Sequence, residues 1–76
     1  MRIFLGGHLN FYHPNKDKWL EVDLKGPTPL VDLLNAAGVP LSEVQLVAIN
    51  GVVVELMDAL VSEGDEVMVQ PFAAFV

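Results

Sequence analysis

Val44-Gln45-Leu46-Val47-Ala48-Ile49-Asn50-Gly51-Val52-Val53-Val54-Glu55 decides the fold of this chain. Val44 to Ile49 is an apolar run with one polar interruption, Gln45, and reads as a buried strand. Asn50-Gly51 is the strongest two-residue hairpin signal, because a type I′ turn needs positive φ at both central positions. Val52 to Glu55 is then the return strand. A turn this tight forces the two strands to pair antiparallel.

The flanks of this hairpin read as follows. Upstream, Thr28 stands where a helix N-cap belongs, with Pro29 at the first helical position. Leu30, Leu33, Leu34 and Ala37 recur at helical spacing, so residues 28 to 37 are expected to form an amphipathic helix. Asp32 suits its first turn, Gly38 its C-terminal cap, and Pro40 prevents its extension. Further upstream, Arg2 to Leu5 is a strand with Ile3 and Leu5 on one face, and Leu9 and Phe11 are expected to continue it beyond a Gly6-Gly7 bulge. His13 to Lys18 is a polar turn. Trp19 to Leu24 alternates, with Leu20, Val22 and Leu24 inward and Trp19, Glu21 and Asp23 on a wet face. Ser42-Glu43 starts a short turn ahead of the hairpin. Downstream, Leu56 to Val61 is an irregular crossing segment with a short helical turn, and Ser62 to Asp65 is a polar turn. Glu66 to Gln70 is the last strand, with Val67 and Val69 inward. The order is ββαβββ, an α+β arrangement in one domain, residues 1–76.

Composition limits the function. A chain of 76 residues buries only about 60% of its unfolded surface, and domains of this size usually need a disulfide, a metal or a partner. There is no cysteine, which removes disulfides and thiolate metal sites and fits a cytoplasmic protein. Ten acids against four bases give a net charge of −6. That balance argues against nucleic acid and anionic membrane, since phosphate binding needs clustered Lys and Arg. It favours a basic protein surface as partner. Neither a secretory leader nor a membrane-spanning run is legible.

No catalytic constellation, cofactor motif or metal-ligand set emerges. His8 and His13 flank a turn and read as solvated or locally hydrogen-bonded. Gly6-Gly7 lacks the Lys-Ser/Thr of a phosphate loop. Glu63, Asp65 and Glu66 around Gly64 read as a solvated acidic turn. The hydroxyl residues, Tyr12, Thr28, Ser42 and Ser62, have no visible activating partner. Trp19, on the wet face of its strand, reads either as cover for the core edge or as a contact residue. The last ten residues, Val67 to Val76, contain one polar side chain, Gln70. Phe72-Ala73-Ala74-Phe75-Val76 is therefore an apolar end directly after a strand, where chains are usually polar.

Three segments carry a family resemblance. Ala48-Ile49-Asn50-Gly51 resembles the "vNg" turn of the ThiS/MoaD sulfur carriers. Leu60-Val61-Ser62-Glu63-Gly64-Asp65-Glu66-Val67 resembles their "L-x-x-GDeV" segment, and Pro71 resembles the proline ahead of their tail. The resemblance spans essentially the whole chain. It implies a β-grasp, or ubiquitin-like, fold: a mixed sheet packed on one helix. In that family the chain ends in Gly-Gly, whose carboxylate an E1-like partner adenylates and converts to a thiocarboxylate for thiazole or molybdopterin synthesis. Glycines suit that chemistry because a tail without Cβ atoms lies extended in a narrow channel. Here Ala74-Phe75 stand where the glycines belong, with Val76 beyond.

Two expectations follow. The first is a non-enzymatic interaction module that docks through its sheet face and its tail, with Trp19, Phe72, Ala73, Ala74, Phe75 and Val76 touching the partner. By family analogy that partner is an E1-like adenylyltransferase, a cofactor-synthesis protein or a molybdenum or tungsten enzyme. The second is a working sulfur carrier with a non-standard terminus. A homodimer through exposed strand edges also stays open.

Overall fold

The computed structural model describes residues 1–72. Strand β1 (Arg2–Leu5) is followed by a 3-10 turn at Leu9–Tyr12 and by β2 (Trp19–Glu21). A two-residue strand, β3 (Thr28–Pro29), leads into helix α1 (Leu30–Ala37). After a second 3-10 turn at Leu41–Glu43 come β4 (Val44–Ile49) and β5 (Val52–Val54). A third 3-10 turn, Leu56–Asp58, precedes the short β6 (Leu60–Val61), and β7 (Glu66–Pro71) closes the order. The main sheet runs β2-β1-β7-β4-β5, and β3 pairs with β6 in a separate ladder. β7 is parallel to β1 and antiparallel to β4. A mixed five-stranded sheet with one helix is the expected β-grasp arrangement.

The β4–β5 hairpin forms as the residues require, with φ 51° at Asn50 and 85° at Gly51. The Asn50 side chain then reaches out of the turn. Its Nδ2 donates to Asp65 Oδ1 at 2.9 Å, and its Oδ1 accepts the Glu66 N–H at 2.9 Å. Asp65 uses its other oxygen to accept the Ser62 N–H at 2.9 Å, closing its own turn. The backbone adds Asn50 N–H to Glu66 O at 2.8 Å. One asparagine thus ties the β4–β5 turn to the turn that enters β7. The acidic turn is more than a solvated loop, since Asp65 is half-buried and fastens it.

Alternation sends Ile3, Leu5, Val47, Val67 and Val69 to one side of the sheet, where Leu30 and Leu34 of α1 meet them. All seven are at most 1% exposed. Burying each such side chain is worth about 1.5–3 kcal/mol relative to leaving it in water. Gly38 ends α1 in the left-handed conformation, with its N–H on the Asn35 and Leu34 carbonyls.

Three expectations are corrected. Leu9 and Phe11 do not prolong β1: Gly7, at φ 54°, turns the chain into the 3-10 turn that drops Leu9 into the core. Thr28 does not cap α1. Pro29 holds the N-cap position, Thr28 donates its hydroxyl to Gly26 O, and the Leu30 N–H goes to Ala59 O. β2 stops at Glu21, although Val22 and Leu24 still pack against the core.

Glycine at position 7 is also a steric requirement. A Cβ there would lie 2.6 Å from Pro71 Cγ, in a ring that cannot swing away. Gly7→Ala combines that clash with left-handed strain of about 1–2 kcal/mol. Urea unfolding should therefore show a loss of about 2 kcal/mol or more. Asn50→Gly keeps the turn conformation and removes only the side-chain bonds, so a loss of about 1 kcal/mol is expected in the same assay. The pH dependence follows from Asp65. The Ser62 N–H first, and the Asn50 amide second, hold its carboxyl below the ordinary range. A carboxyl with a lowered folded value stabilises above its unfolded pKa, about 3.9, and the gain disappears as pH falls through the lower folded value. Circular dichroism at decreasing pH should show Asp65→Asn less stable at neutral pH and less sensitive to acid.

Candidate functional site

The helix covers one face of the main sheet. On the opposite face the strand register lines up a single row. Trp19 pairs with Phe4, Phe4 with Met68, Met68 with Ala48, and Ala48 with Val53. Each is the outward residue of its strand, so five apolar side chains cross the sheet from β2 to β5. Four strand spacings of about 4.8 Å make the row about 19 Å long.

The Trp19 end is packed on two sides. Its ring meets Phe4 edge-on, with centroids 5.1 Å apart. The Arg2 guanidinium lies 4.2 Å above the indole and donates to Glu66 Oε2 from Nη2 at 3.0 Å. Arg2 is thus held by stacking and by an ion pair, and Trp19 is fixed by both aromatic and cation. Phe4, Trp19 and Met68 are each half-buried, Ala48 is covered, and Val53 is 64% exposed. Glu21, Arg2 and Glu66 form a charged row along one side. Between the two rows lies an open depression of about 670 Å³, floored by Phe4, Ala48 and Met68 and rimmed by Asn50, Gly51 and Gly64.

A second cluster fixes the end of β7. Gly7 seats the Pro71 ring, and the Phe72 N–H donates to Glu43 O at 3.3 Å. The Glu43 carboxylate meets His8 Nε2 at 2.5 Å and accepts the Tyr12 hydroxyl at 2.5 Å. His8, then Tyr12, hold that carboxyl below its usual range. The same bond to Glu43, with desolvation behind it, pushes the Tyr12 phenol up. The Phe72 ring leaves this cluster 55% exposed.

Of the expected contact residues, Trp19 sits at one end of the apolar row and Phe72 at the exit of β7. The structure does not bring the two into one patch. Ala73, Ala74, Phe75 and Val76 lie outside the described residues. Among the described residues, no three His, Asp or Glu side chains stand together as a metal site, and no helix is long and apolar enough to cross a membrane. Sequence reasoning missed Phe4, Met68, Ala48 and Val53. The available signal was that β1, β4, β5 and β7 carry apolar residues at outward as well as inward positions. It also missed the joining of Glu43 to Tyr12 and His8, 31 and 35 positions away, for which spacing gives no signal.

No curated protein and no solved structure matches the chain. Residues 3–76 match the family described as Mut7-C ubiquitin. With the sheet order and helix above, that match identifies the chain as a member of the Mut7-C ubiquitin family, with a ubiquitin-like β-grasp fold.

Proposed function

We propose that this domain works by binding, as a protein-docking module, and that the open face of its main sheet is the docking surface. One observation carries the reading: the register aligns Trp19, Phe4, Met68, Ala48 and Val53 into an unbroken apolar row on the face the helix leaves open. A contiguous apolar stripe with a charged border is the make-up of an interface core with its rim. Trp19 suits the anchor role because Phe4 and Arg2 already hold its ring, so binding orders little that is not ordered. Phe72 offers a second aromatic contact at the end of β7, and the apolar residues 73–76 follow it in the sequence.

The sulfur-carrier resemblance has a structural explanation that needs no sulfur chemistry. Its motif residues are fold residues here. Asn50 and Gly51 make the hairpin turn, and Gly64 and Asp65 make the turn fastened to it. A shared fold does not carry a shared function with it. A Mut7-C protein of the same genome is the first partner to try, on the family's description, ahead of the E1-like and molybdenum or tungsten enzymes that the sulfur carriers suggest.

Met68→Glu places a charge in the middle of the row without touching the core. Calorimetric titration against the Mut7-C protein should show affinity falling about thirtyfold or more, about 2 kcal/mol, with the thermal midpoint nearly unchanged. Equal binding by Met68→Glu and the parent chain would remove the sheet face from the account. A mass increase from oxygen-to-sulfur exchange, on incubation with ATP and an E1-like enzyme, would overturn the docking-module reading in favour of a sulfur carrier.

A further inference from the structure

The geometry points to the outer edge of β5 as a second docking element, one that takes an extended, basic segment of a partner protein as a sixth strand. This goes beyond the sheet-face reading, because it uses backbone groups and a different border of the sheet.

β5 is the last strand of the β2-β1-β7-β4-β5 order, and among the described residues it pairs only with β4. In a two-residue hairpin the residues flanking the turn exchange both backbone bonds, and bonded and unbonded pairs then alternate. Ile49 and Val52 are the flanking pair, so Ala48 and Val53 are the unbonded one. The Val53 N–H and C=O therefore point away from β4, toward solvent. Val52 and Val53 are 63% and 64% exposed. Natural edges are usually blunted by Lys, Pro or a bulge, and Val52–Val54 has none of these. The opposite border does have such protection: Lys16, Asp17 and Lys18 precede β2, Glu21 ends it and Asp23 follows.

Charge selects the occupant. The four bases, Arg2, Lys16, Lys18 and Lys25, all fall in the first 25 residues, beside three acids. The remaining chain holds Asp32, Glu43, Glu55, Asp58, Glu63, Asp65 and Glu66 and no base, so +1 and −7 make up the net −6. The basic residues belong to β1 and the segments around β2, at the far border of the sheet. A strand arriving at β5 meets Glu55 at the strand's end. A segment rich in Lys or Arg is attracted there, whereas a second copy of this chain would set acids against acids. Val53 also ends the apolar row, so alternate apolar residues of the added strand would prolong the row past the sheet's own border.

β5 has three residues and offers one outward pair of backbone groups, so the effect is read with a short probe. A capped peptide of about six residues, alternating Val and Lys, is titrated into the isotope-labelled chain. The expected result is a shift and slowed exchange of the Val53 amide. Affinity should fall about tenfold or more when Glu replaces Lys in the peptide. Val53→Pro removes the outward N–H without breaking a bond to β4 and should weaken binding similarly. Val53→Thr keeps both the strand and the N–H and alters only the side chain, so it should lose less binding than Val53→Pro does. Unchanged binding by Val53→Pro would overturn the inference, as would self-association of the parent that Val53→Pro abolishes. Loss of binding with Met68→Glu but not with Val53→Pro would also overturn it, and would leave the sheet-face proposal standing.

Discussion

Asn50 tolerates a backbone conformation that most residues resist, and the same side chain then binds a second turn. Its φ of 51° completes the hairpin between β4 and β5, and its amide grips Asp65 and the Glu66 N–H. The tie falls at the first residue of β7, the strand in the middle of the sheet. Fixing that entry aligns Ile49 with Val67, Ala48 with Met68 and Val47 with Val69. On its other side β7 carries β1, and β1 carries β2. A slip of one residue in β7 would turn Val67 and Val69 out into water and Met68 into the core. The core and the open face thus rest on one register, and that register begins at the Asn50 contact.

The two faces have opposite uses. Inward residues close over Leu30 and Leu34 and hold a small domain together without a disulfide. Outward residues carry an apolar row on the side of the sheet away from the helix. Trp19, Phe4 and Met68 retain accessible surface, and Val53 more than half of it. Charge follows the same geography, mixed near β2 and wholly acidic from the helix onward. The docking surface proposed above, bordered in this way, would favour partners that bring apolar groups and positive charge together.

Much of this was legible in the sequence because local chemistry decided it. Asn50-Gly51 specified the hairpin, the leucine spacing specified the helix, and the alternation around Val67 and Val69 specified the central strand. Failures came where a distant contact decided instead. Thr28 looks like a helix cap, but the chain there pairs with Val61 in a two-residue ladder that only the closed fold supplies. Leu9 and Phe11 look like a continued strand, but the Pro71 ring occupies the space beside Gly7 and the chain turns away. The apolar row was invisible for a related reason. Each of its residues looks ordinary in its own strand, and only the register across five strands makes them neighbours. Trp19 was legible as a residue on the open face of its strand, but not the Phe4 and Arg2 that hold it.

Amide hydrogen exchange on the isolated domain tests the dependence on β7 most directly. If that strand's register supports everything else, the amides of Val67, Met68 and Val69 exchange only through global unfolding, and no other strand outlasts them. Exchange of these three amides through a smaller opening, while the β1–β2 pair stays protected, would contradict the account.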